Sequence, residues 1–143
     1  MKILVAVDGS KDAVKGAGMA LEMAKKQGAE VTLVAVIPVY PEIDLEISAR
    51  ARNSLENKLS SQAEKAINEA KASFQSEGLA PKALVFSAGA IADEIIKMAE
   101  EEKCDLIVIG SRGLGATGRF NLGGTAMKII AQAPCSVLVA RAK

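Results

Sequence analysis

Histidine and tryptophan are missing from this 143-residue chain, and aromatic residues make up only 3% of it. Without histidine, imidazole acid–base chemistry is excluded, and so are most zinc and iron centres. Three Phe and one Tyr offer little for stacking on bases. Neither sign of charge dominates, since 18 basic and 17 acidic residues leave a formal +1. No Lys/Arg block is present either, so no nucleic-acid partner is expected. No apolar run reaches spanning length, and no membrane partner is expected. Met1 to Val7 runs straight into a strand pattern without the layout of a secretory signal, so a cytoplasmic location is expected. Cysteine is scarce. Cys104 and Cys135 each lead into an apolar run and read as two buried free thiols rather than a disulfide.

Aliphatic residues are plentiful instead, and their order along the chain is regular. The length suits one domain, residues 1–143, with a sizeable aliphatic core. Lys2 to Val7 is apolar without alternation, as expected of a parallel strand covered on both faces. Asp8-Gly9-Ser10 ends it, Ser10 can cap a helix, and Gly28 stops that helix. Val31 to Ile37 reads as a second strand, closed by Pro38 and Pro41. From Glu42 to Glu77 the apolar spacing is helical, with a mobile or broken beginning expected near Ile43 to Ala51. Strands are then expected at Lys82–Phe86, Asp105–Ile109 and Ser136–Ala140, with helices at Ala90–Glu102 and Asn121–Ala131 between them. Such alternation predicts an α/β three-layer sandwich around a mainly parallel five-stranded sheet.

Six of the twelve glycines, at 110, 113, 115, 118, 123 and 124, run from the end of the fourth strand into the opening of the last helix. A backbone freed in this way can point several N–H groups at one place, which is how proteins hold phosphate. An anionic small molecule is therefore the leading ligand class. Two familiar signatures fail here. The GxxxxGK[ST] pattern needs Lys and Ser/Thr after its last glycine, but Gly118 is followed by Arg119-Phe120. Gly113-Leu-Gly-Ala-Thr-Gly118 matches GxGxxG in letters, yet the strand has already ended and no long helix starts at Gly118.

Gly110-Ser-Arg-Gly113, nine residues and then Gly123 resembles the Gly-x2-Gly-x9-Gly-(Ser/Thr) signature of the universal stress protein family. The opening Ile-Leu-Val-Ala-Val-Asp8-Gly-Ser10, the late Cys-Asp-Leu-Ile-Val-Ile-Gly110 and the closing Ala-Pro134-Cys-Ser-Val-Leu-Val139 look like the same family. The resemblance implies strand order 3-2-1-4-5, an adenine-nucleotide alpha-hydrolase-like arrangement, and ATP as cofactor, with or without Mg²⁺. It also implies site residues. Asp8, with Ala6 and Val7, resembles the first-strand group at the nucleoside. Val36 resembles the residue whose backbone meets the adenine edge, and Ile109 with Gly110 the pair beneath the nucleoside. Gly113, Gly123, Gly124 and Thr125 stand where the family holds phosphates, with Arg112 and Arg119 as candidate phosphate partners. One departure is plain: Gly124 occupies the Ser/Thr position, and Thr125 follows one residue late.

Each of these residues also has a plainer role open to it. Asp8 suits an Asx turn, Ser10 a helix cap, the glycines tight packing, and the arginines solvent. No nucleophile–base pair is visible, so a dedicated enzyme is not expected. The functions left are an ATP-binding regulatory or stress-response protein, a nucleotide-independent interaction protein of the same fold, or a slow ATPase. A homodimer through the C-terminal strand is expected as well. Ser136 to Ala140 is short, apolar and free of central charge or proline, and many members of the family join there.

Overall fold

Each apolar run becomes a strand, and each amphipathic stretch becomes the helix that follows it. The computed structural model describes residues 1–39, 49–112 and 122–142. Their order is β1 (Lys2–Ala6), α1 (Lys11–Gln27), β2 (Glu30–Pro38), α2 (Ala49–Ser76), β3 (Lys82–Ala88), α3 (Ile91–Glu101), β4 (Leu106–Gly110), α4 (Gly124–Gln132) and β5 (Ser136–Ala140). The five strands form one sheet in the order β3-β2-β1-β4-β5, and every neighbouring pair is parallel. Parallel neighbours require crossovers, which the helices supply.

The absence of alternation in the strands has its cause in the two cores. Ile3, Val5 and Val7 face α1 and α2, together with Leu33, Ala35 and Val108. Leu4 faces α3 and α4, together with Val34, Ile107 and Ile109. Both sets are apolar because both faces are covered. Helix α1 buries only small residues apart from its first turn: Ala13, Gly16, Ala17, Ala20 and Ala24. It lies close to the sheet, for a Cβ on Gly16 would stand 3.0 Å from Val108 Cγ1. Its ends follow the expected chemistry. Ser10 Oγ accepts the Ala13 N–H at 3.2 Å, and Gly28 closes the helix at φ 67°.

The start of α4 and the burial of the cysteines differ from expectation for physical reasons. Helix α4 starts at Gly124 rather than near Asn121, since Gly123 is the extended N-cap at ψ 158°; residue 121 itself lies outside the described residues. The apolar stripe of the long helical segment is buried only at Ala63, Ala66, Ile67 and Phe74. A 28-residue helix reaches roughly 42 Å at about 1.5 Å per residue, while the 9-residue β2 spans about 30 Å. Its amino-terminal part therefore reaches beyond the strand ends. Of the beginning expected to be mobile or broken, Ile43 to Ser48 lies outside the described residues, and Ala49 to Ala51 is helical. Both cysteines are free but half-buried rather than buried, because each precedes its strand at the thin amino edge of the sheet. Burial still pushes both thiols above their ordinary pKa. The nearby Cys135 and Glu102 add to the shift at Cys104, as does Asp105 at Cys135.

Candidate functional site

The sheet opens where its winding reverses. Strands β1 and β4 are paired as far as Val5 and Val108. Beyond that point Val7 N–H donates to Val34 O at 2.8 Å, drawing the chain after β1 toward β2. Ser111 N–H donates to Ala140 O at 3.0 Å, drawing the chain after β4 toward β5. The two chains diverge and leave a crevice at the carboxyl ends of the strands, where doubly wound sheets bind ligands. Strand β2 continues past β1, paired with β3 as far as Pro38, and so forms one wall.

A cavity of about 370 Å³ occupies this crevice, a size within the range of small-molecule sites. Ten of the eleven residues expected at the site line it: Ala6, Val7 and Asp8 after β1, Val36 on β2, Ile109, Gly110 and Arg112 from β4, and Gly123, Gly124 and Thr125 at α4. Gly113 and Arg119 lie outside the described residues. Other lining residues carried no signal of their own in the sequence. Ile91, Ile95 and Ile129 form apolar floor, whereas Leu59, Gln62 and Ala63 close the cavity from α2. Leu59 belongs to the helical stripe, but the overhang that brings it here exists only once α2 is laid on the sheet.

Asp8 Oδ1 accepts the Ser10 N–H at 2.8 Å, so the Asx turn is made, and the same residue lines the cavity. Gly110 is glycine for packing: a Cβ there would lie 2.9 Å from both the Ala13 nitrogen and the Asp12 Cβ. Gly124 has open space around it, with nothing within 4 Å of a Cβ.

Two helix amino ends face this region, and they differ. Helix α1 is capped by Ser10 and carries Asp12 in its first turn. Helix α4 has Gly123 as its N-cap with no side-chain cap, and no acid in its first turn. Its first amide groups, at Gly124, Thr125 and Ala126, belong to residues lining the cavity. Unpaired N–H groups and the positive end of the helix dipole together favour an anion at this end. Asp8 is the carboxylate of the described lining, and no group of three or more metal-ligating side chains occurs among the described residues. No helix among them is long and apolar enough to cross a membrane.

Sheet order, crevice and helix end together define a doubly wound α/β protein with a cavity at the switch point. The profile of the Universal stress protein family matches residues 1–141, and the chain belongs to that family. A Thermus aquaticus protein named universal stress protein in QAH/OAS sulfhydrylase 3'region is 33% identical, over 97% of each chain. Among solved structures, the hypothetical protein MJ0577 superposes with a TM-score of 0.81 at 29% identity, covering 99% of this chain and 96% of its own. The universal stress protein from Archaeoglobus fulgidus, solved in complex with dAMP, superposes with a TM-score of 0.69 at 23% identity, over 98% and 97% of the two chains. At that identity the likeness is one of fold.

Proposed function

We propose that this protein binds an adenine nucleotide, ATP in particular, in the cavity between β1 and β4, and acts as a regulatory or stress-response protein. The observation that carries the proposal is the uncapped amino end of α4, opening into a cavity of nucleotide size. The dAMP complex of the Archaeoglobus fulgidus relative supports the ligand class. In this reading Val36, Ile109 and the isoleucine floor hold the base, and Asp8 meets the ribose. The amides of Gly123, Gly124 and Thr125, together with Gly113 and Arg112, hold the phosphates.

A magnesium ion suits such a site. One carboxylate, phosphate oxygens and water are its usual partners, and Asp8, the carboxylate of the described lining, would position it through water. Nucleotide would act by ordering segment 110–124 around the phosphates, changing the surface offered to partners. The same reading takes the protein as cytoplasmic and as a homodimer through β5.

Calorimetry on nucleotide-stripped protein tests it, with ATP, AMP and adenosine titrated in the presence and absence of Mg²⁺. Saturable heat, with ATP tighter than adenosine, is the expected result. No heat and no competition at millimolar ligand would overturn the proposal in favour of a nucleotide-independent interaction protein.

A further inference from the structure

Asp12 is a buried carboxylate that the nucleotide reading leaves without a task. It is 6% exposed and does not line the cavity. One oxygen, Oδ2, accepts the Ser111 hydroxyl; the other, Oδ1, accepts the Ala142 N–H at 2.8 Å; the Arg112 backbone N–H and guanidinium also act on the carboxylate. Ser111, 2% exposed, is the first residue beyond β4. Its N–H is bound to Ala140 O, and its carbonyl accepts the Gly123 N–H at 2.8 Å. The two ends of the glycine-rich segment thus meet across a single backbone hydrogen bond, and Ser111 anchors that bond. Gly123 is in turn the N-cap from which the first amides of α4 are aimed.

A hydroxyl held by a buried carboxylate keeps the rotamer that makes the bond and restrains the backbone that carries it. If that hold is released, the Ser111 peptide is held only by its bond to Ala140 O and its carbonyl gains freedom. The carbonyl that fixes Gly123 then loses its bearing, and the amides of α4 lose theirs. We propose that Asp12 is a positioning residue for phosphate: through Ser111 it sets where Gly123 and the first turn of α4 stand, and through Ala142 it ties that placement to the chain leaving β5. The proposal rests on the nucleotide reading of the cavity. It differs from the general benefit of an acid in the first turn of α1, which would affect stability alone.

The test compares ATP with adenosine, because only ATP uses the phosphate-holding amides. For Asp12→Ala and for Ser111→Ala, ATP affinity is expected to fall about tenfold, the size of many losses in groups that orient a binding residue. Adenosine affinity should change less than about twofold. The double variant should lose no more than Asp12→Ala alone, because that change already breaks the link to Ser111. Asp12→Asn is the conservative variant: its amide oxygen can accept from Ala142 and its amide nitrogen can donate to Ser111 Oγ, so the ATP-to-adenosine ratio should return toward that of the parent. Amide exchange at Gly123 in the nucleotide-free protein should speed up in Asp12→Ala and Ser111→Ala. If the parent binds ATP while these variants leave the ratio unchanged, the inference alone is overturned. If the parent binds neither ligand, the nucleotide reading falls and this inference falls with it.

Discussion

Gly110 and Asp12 approach so closely that a Cβ on the glycine would sit 2.9 Å from the Asp12 Cβ. The end of β4 is thereby seated against the first turn of α1, with the Ala13 nitrogen equally near. A glycine in a family signature, expected beneath the nucleoside, has a packing cause of its own.

Gly110→Ala should accordingly destabilise the fold, by about 1–3 kcal/mol, as overpacking against backbone does. Gly16→Ala should cost less, because its nearest obstacles are the side chains of Val108 and Ala140 rather than backbone. Urea denaturation of the two variants and the parent measures both. Equal stability of Gly110→Ala and parent would contradict the close seating.

Gly124→Ser is the complementary experiment. Its Cβ meets nothing within 4 Å, so stability should be unchanged. The new hydroxyl stands in the first turn of α4 and should tighten ATP binding by about 1 kcal/mol, roughly fivefold. Calorimetry with ATP reads the change. Unaltered affinity in a folded variant would show that phosphate does not reach this residue, or that Thr125 already serves it.

Asp12 gives stability a defined pH dependence. The Ser111 hydroxyl first, and the Ala142 N–H next, hold its carboxyl below the ordinary value against the upward pull of desolvation. A depressed folded pKa means that the contribution is complete above the unfolded value, about 3.9, and is lost as pH falls through the folded one. Asp12→Asn cannot titrate, so the stability gap between parent and variant should narrow steadily below about pH 4. Urea midpoints measured from pH 2 to 6 check this. A gap that is constant across the range would mean that the carboxyl is not depressed in the fold.

The outer strand β5 supplies a prediction about assembly. It is an edge of the sheet, with Val137, Leu138 and Val139 half-buried, and the neighbouring α4 leaves Met127 and Ile130 exposed at 58% and 45%. Unpaired backbone groups beside apolar side chains invite a second copy. Light scattering over a concentration series should find a dimer at tens of micromolar, and Val139→Lys should weaken it at least about tenfold, the effect of placing a charge in an apolar contact. Ile130→Glu is the milder companion should the lysine disturb the fold. A monomeric parent would remove the dimer; dimers untouched by either change would move the interface away from this edge.

The element pattern was legible because it is local. Runs such as Lys2 to Val7 lack alternation, and stretches such as Lys11 to Gln27 carry an apolar face between Ser10 and Gly28; neither statement needs a distant partner. Sheet order was legible through motif resemblance, and the same resemblance named Asp8, Gly110 and Gly123, which the fold brings to one cavity. Other features were not legible. Nothing local separates Asp12 from other acids near a helix start, nor Ser111 from any serine in a glycine-rich loop. Their partnership spans 99 residues of sequence, and the Asp12–Ala142 bond spans 130.

By itself, the sequence determined which segments are strands and helices, because backbone periodicity and capping act within a few residues. Only the tertiary structure decided that α2 overhangs the crevice and lends it Leu59 and Gln62, and that Gly110 is glycine for the sake of α1. It alone brought Asp12 to the base of the glycine-rich segment. Those facts depend on how β1, β4 and β5 lie side by side, and contacts made across a sheet leave no periodic mark on the chain that makes them.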